Sequence, residues 1–204
     1  MENKSNASKY LLPVIIIWTV AGSLMPNICL SITEDLSLVQ RITNIVLPAG
    51  IYWLLMSLTR NTGKAGLWMV IFEFFAAFQV VLIYIYGGSV LAVDMLLNVM
   101  TTNYGEVTEL LGSMMPAIIL VLVVFLPPLI SSGVAVARGM RLPKKVLGYN
   151  RLGSLVTICI GLVCYMASFF SGRPFHPVAD IYPLNVGYNI YLATVNCQII
   201  SRIS

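Results

Sequence analysis

The stretch Met115–Ala137, MPAIILVLVVFLPPLISSGVAVA, contains no charged residue and matches the roughly 20 apolar residues that carry a helix across a bilayer. Four further runs read the same way: about Tyr10 to Leu30, Ile42 to Leu58, Ala65 to Tyr86 and Leu152 to Phe170. The composition agrees, with 58% hydrophobic and 10% charged residues and a mean hydropathy of +0.88. These observations predict an all-α polytopic membrane protein with five transmembrane helices. In 204 residues, five spans leave little chain for a water-soluble catalytic domain. The first run reads as a retained anchor, because its apolar stretch continues to Leu30, beyond the core of a signal peptide.

The gaps between spans carry the charge. Lys4, Lys9, Arg60, Lys64, Arg138, Arg141, Lys144, Lys145 and Arg151 fall in one set of connections, and only Arg41, Arg173 and Arg202 in the other. Basic residues stay inside, so the N-terminus is expected in the cytoplasm and the C-terminus in the periplasm of a bacterial inner membrane. The net charge of +4 does not indicate nucleic acid, since the cations sit in short gaps and not along one stripe. The inner loop ARGMRLPKKVLGYNR is the chief basic patch, suited equally to anionic head groups and to setting topology.

Between the third and fourth spans lies LAVDMLLNVMTTNYGEVTELLGSMM, Leu91 to Met115, without Lys or Arg. On a continuous helix its Asp94, Asn98, Thr101, Thr102, Glu106 and Glu109 share an arc of roughly 140°, with Leu96, Val99, Val107 and Leu110 opposite. That pattern predicts a periplasmic interfacial helix at about 90–113, which Gly105 divides if the helix breaks there. A solvated interfacial helix explains the amphipathicity alone. A face of amide, hydroxyls and carboxylates without a cation also suits a cationic group, hydroxyls or a polar partner domain.

The spacing Asn98-x-x-x-Thr102-x-x-x-Glu106, together with Pro183-x-Asn185-x-x-Tyr188 in DIYPLNVGYNIYLA, resembles the membrane domain of the lipid A phosphoethanolamine transferases, the polymyxin-resistance family of the alkaline-phosphatase superfamily. The resemblance covers nearly the whole chain. It implies a five-helix membrane domain over 1–171 and the start of a periplasmic bridging segment over 172–204. It implies that Asn98, Thr102 and Glu106 bind substrate, helping hold the head group of the donor, phosphatidylethanolamine, against a periplasmic catalytic domain that modifies lipid A. Glu106 would pair with the ammonium, while Asn98 and Thr102 would hydrogen-bond phosphate or ester oxygens. Thr101 stands where the family often has Gln. The family's catalytic domain binds zinc and is expected to be absent here: the chain ends where that portion begins, and with His176 alone no zinc site is expected, so no catalytic residue, metal or cofactor is assigned. The other readings are a related phosphotransferase with another glycan or glycerol acceptor, a small transporter, and a structural subunit.

Other residues carry two readings each. Glu73, inside the third span, is either a relay or a structural carboxyl meeting water, Arg60 or Lys64 near the inner end. Gln79 is expected to hydrogen-bond between helices. Pro127-Pro128 should bend the fourth span and free backbone carbonyls, which helices tolerate when neighbours re-satisfy them. Cys29, Cys159, Cys164 and Cys197 lack zinc spacing and read as packed thiols, with a Cys29–Cys197 bridge as the alternative. His176 reads as a surface side chain, Arg173 as a helix anchor.

Overall fold

The structure, a computed structural model, describes residues 2–86, 114–170, 176, 181–185, 187, 188 and 191, the side chains of 2–9, 82, 85 and 86 excepted. The expected interfacial helix at about 90–113 lies outside the described residues. Five long helices follow in order: α1 Glu2–Thr33, α2 Leu38–Met56, α3 Thr62–Tyr86, α4 Met115–Ala137 and α5 Lys144–Ser168. Each contains a stretch long and apolar enough to span a bilayer, and no strand occurs among the described residues. The chain is a polytopic all-α membrane protein.

Local chemistry moves several helix ends from the sequence expectation. The second helix begins at Leu38 instead of Ile42, because Ser37 and Gln40 form a reciprocal capping box: Gln40 N–H donates to Ser37 Oγ at 3.3 Å, and Ser37 N–H to Gln40 Oε1 at 3.0 Å. The fifth begins at Lys144 instead of Leu152, directly after Pro143. Its basic first turns lengthen the helix beyond the apolar run, where long cationic side chains reach past the hydrocarbon to water. Gly139, with φ of 62°, supplies the left-handed residue that ends α4.

Helix α1 lies at the centre, packed against α2, α3 and α4, while α5 packs chiefly on α2 and α3 on α4. Two of these contacts depend on missing side chains. A Cβ on Gly161 would stand 2.7 Å from Cα of Leu47, and one on Gly50 would stand 2.8 Å from the Ile158 nitrogen, so α2 and α5 touch backbone to backbone. At the α3–α4 contact, a Cβ on Gly63 would meet the Ser132 carbonyl oxygen at 2.6 Å. In a bilayer such close approach replaces the hydrophobic effect as the source of helix association. Leu12, Ile15, Ile16, Tyr52, Met56 and Met69 fill the core between.

The proline pair in α4 behaves as its chemistry predicts. Pro128 has no N–H to offer the Val124 carbonyl one turn earlier, and Trp18 Nε1 of α1 donates to that oxygen at 2.9 Å. The freed carbonyl thereby ties α4 to the central helix.

Candidate functional site

The charged residues divide between the two ends of the bundle. Arg60, Lys64, Arg138, Arg141, Lys144, Lys145 and Arg151 lie in or beside the α2–α3 and α4–α5 connections, which meet where Leu142 N–H donates to the Arg60 carbonyl at 2.8 Å. Glu34, Asp35 and Arg41 occupy the α1–α2 connection at the opposite end.

A buried polar stripe on α1 leads toward the acidic end, where Asn27 and Ser31 are bonded to α2, while the Thr19 and Ser23 hydroxyls have no partner among the described residues. Thr19, Ser23, Asn27 and Ser31 repeat every four residues along α1, and all four are buried. Asn27 Nδ2 donates to Asn44 Oδ1 of α2 at 3.1 Å. Asn44 Nδ2 returns bonds to the Asn27 carbonyl at 3.2 Å and to Ser31 Oγ at 3.1 Å. The Asn44 amide is thus bonded through both its nitrogen and its oxygen, within apolar surroundings where a lone amide would be costly, while Asn27 Oδ1 has no partner among the described residues.

Onto this network folds the segment 181–185. Its backbone turns helically, with Asn185 N–H donating to the Ile181 carbonyl at 3.0 Å, after a cis Tyr182–Pro183 bond. The Tyr182 carbonyl accepts from Asn27 Nδ2 at 3.3 Å, and its hydroxyl donates to the Phe72 carbonyl of α3 at 2.6 Å. One tyrosine therefore joins α1 to the middle of α3. Burial, and to a lesser degree the neighbouring Tyr52, holds its phenol above the ordinary value, so it acts as a neutral donor. Asn185 is fully buried, and neither polar atom of its side chain finds a partner among the described residues. Tyr188 and Leu184 face outward.

Of the residues singled out in the sequence, Asn98, Thr102 and Glu106, with Asp94, Thr101 and Glu109, lie outside the described residues, as do Arg173 and Cys197. The Pro183-x-Asn185-x-x-Tyr188 motif is described at those three positions, with Asn185 its buried member. Glu73 is 3% exposed and makes neither the Arg60 nor the Lys64 pair; its Oε1 has no partner among the described residues. The helix begins at Thr62, so Glu73 stands about three turns from its end, deeper than the sequence expectation placed it. The interhelical bond expected of Gln79 is likewise absent, both its amide atoms being buried without a described partner. Among the described residues Cys29, Cys159 and Cys164 are free thiols, and the Cys29–Cys197 alternative rests on Cys197, which lies outside them. His176 is exposed.

The sequence reading missed the α1 stripe and its Asn44 partner. The signal was present: four small polar residues at intervals of four inside an apolar run mark one buried helix face. Among the described residues, no group of three or more His, Cys, Asp or Glu gathers where a metal ion would bind. No family model, curated protein or solved structure matches the chain.

Proposed function

We propose that the chain is the membrane domain of a phosphoethanolamine transferase of the bacterial inner membrane, anchoring the enzyme and presenting phosphatidylethanolamine for transfer to lipid A. The observation that carries the reading is the docked 181–185 segment. In the family resembled here, the corresponding segment leads from the last span into the catalytic portion, and in this chain Tyr182 and Asn185 are buried against the bundle. Such an anchor would fix a following domain at one height above the membrane. It would do so at the end away from the basic connections, which is the periplasmic end if basic residues stay inside.

On this reading Asn98, Thr102 and Glu106 face the same compartment as the docked segment, because an odd number of spans precedes both. Glu106 supplies the negative charge for the ethanolamine ammonium, while Asn98 and Thr102 hydrogen-bond the phosphate or ester oxygens. None of these three can perform the transfer, so the covalent step belongs to the zinc-bearing catalytic domain of the family.

The test joins this chain to the periplasmic catalytic domain of a family member and measures phosphoethanolamine on lipid A by mass spectrometry. The joined protein should modify lipid A, and Glu106→Ala should lower transfer about tenfold or more, through loss of one charge-assisted contact. A joined protein without transfer contradicts the functional reading. Unchanged transfer with Glu106→Ala contradicts the site.

A further inference from the structure

At the end of the bundle opposite the docked segment, four cations converge on one cavity of about 540 Å³: Arg60 and Lys64 from the α2–α3 side, Arg141 from the α4–α5 connection and Arg151 from α5. Two are locked in place by backbone carbonyls. Arg60 Nε donates to the Leu142 carbonyl at 3.1 Å, and Arg151 donates through Nε to Ser57 at 2.8 Å and through Nη2 to Leu58 at 2.7 Å. Those bonds fix the guanidinium planes and leave both terminal nitrogens of Arg60 and Nη1 of Arg151 to donate elsewhere.

Nothing described neutralises this charge. No acidic residue lines the cavity. Of the acidic residues whose side chains are described, Glu34 and Asp35 lie at the far end of the bundle, and Glu73 lies in the middle of α3. The N-terminus of α3 adds to the positive field: its first turn has no acidic residue, and Asn61 Oδ1 accepts from the Lys64 N–H at 3.1 Å, placing a lysine where the helix dipole disfavours one. Four mutually repelling cations beside a positive helix end are an arrangement that an anion relieves.

The cavity borders an apolar groove on the flank of the bundle. Leu58 and Thr59 line both, and the groove, of about 250 Å³ on the outside of α2 and α3, is walled by Leu55, Trp68, Met69 and Phe72. Trp68 is 76% exposed there, an aromatic ring facing lipid. A soluble anion has no use for the groove, whereas an amphiphile fills both parts at once. We infer that the Arg60, Lys64, Arg141 and Arg151 cavity binds the phosphate head group of an anionic phospholipid whose acyl chain lies in the Trp68 groove. The site lies on the other face of the membrane from the donor-lipid site and stands whether or not that reading holds.

The test uses the full chain in neutral detergent, titrated with dioleoylphosphatidylglycerol, dioleoylphosphatidylcholine, glycerol 3-phosphate and inorganic phosphate, with bound lipid read by native mass spectrometry. Phosphatidylglycerol should bind at least about tenfold more tightly than phosphatidylcholine, in a salt-sensitive manner. Among the described residues the side chains of Lys64 and Arg141 line the cavity and are exposed, with no hydrogen bond of their own, so the double variant Lys64→Gln, Arg141→Gln should fold normally and bind phosphatidylglycerol about thirtyfold more weakly. Trp68→Ala should weaken the lipid several-fold and leave glycerol 3-phosphate unaffected. Equal binding of the two lipids, or a double variant that binds like wild type, overturns the proposal. Inorganic phosphate competing at the lipid's own concentration makes this a free-anion site and overturns the lipid assignment.

Discussion

The two ends of the bundle treat polar atoms in opposite ways. At one, Asn27, Asn44 and Ser31 are buried, neutral and bonded largely to one another and to the Tyr182 carbonyl. At the other, Arg60, Lys64, Arg141 and Arg151 are exposed, charged and gathered around an open cavity without an acidic residue. A closed network of amides holds helices and a docked segment in register. In the open cluster Arg60 and Arg151 tie connections together through backbone carbonyls, but the like charges repel one another and are relieved when an anion arrives. The two ends differ in charge and in access to water: the amide end is neutral and buried, although Asn27 Oδ1 and the Asn185 amide have no partner among the described residues, whereas the basic end is charged and open.

Substitutions at the two ends should therefore differ in kind. Asn44→Leu removes three side-chain hydrogen bonds of the network and leaves the Asn27 amide partly unpaired, so it should lower thermal stability by roughly 2 kcal/mol. Tyr182→Phe removes one bond, to the Phe72 carbonyl, and should cost about 1 kcal/mol. The loss should appear as faster proteolysis of the segment around 181–185. Smallest in stability is the double variant Lys64→Gln, Arg141→Gln at the basic end, expected within about 0.5 kcal/mol of wild type in neutral detergent. A basic-end variant that unfolds the bundle, or an Asn44→Leu protein as stable as wild type, would break the distinction.

The five spans were legible because apolar length alone specifies a membrane helix, whatever packs beside it. The freed carbonyl expected of Pro127-Pro128 is found, since a missing N–H is a local fact of sequence and Trp18 supplies the donor. Helix ends were less legible. The Ser37-x-x-Gln40 box starts α2 four residues before its apolar run, and polar residues within reach of water extend α5 to Lys144. The long-range partners could not be read at all. Arg60 joins the basic loop through Leu142, 82 residues away, and Asn27 meets Tyr182, 155 residues away. Glu73 and Gln79 were visible as intramembrane polar residues, but the partners expected of them depended on helix rotation, which periodicity in a uniformly apolar span does not fix. Asn98, Thr102 and Glu106 rest on the sequence resemblance.

The two proposals, phosphatidylethanolamine at the Glu106 face and an anionic phospholipid at the basic cavity, meet in one lipid-competition measurement. The chain is equilibrated with equal amounts of phosphatidylethanolamine and phosphatidylglycerol, and adducts are counted by native mass spectrometry for wild type, Glu106→Gln and the Lys64→Gln, Arg141→Gln double variant. The account predicts that Glu106→Gln depletes only phosphatidylethanolamine adducts and the double variant only phosphatidylglycerol adducts. Both variants losing both lipids in equal measure would contradict it.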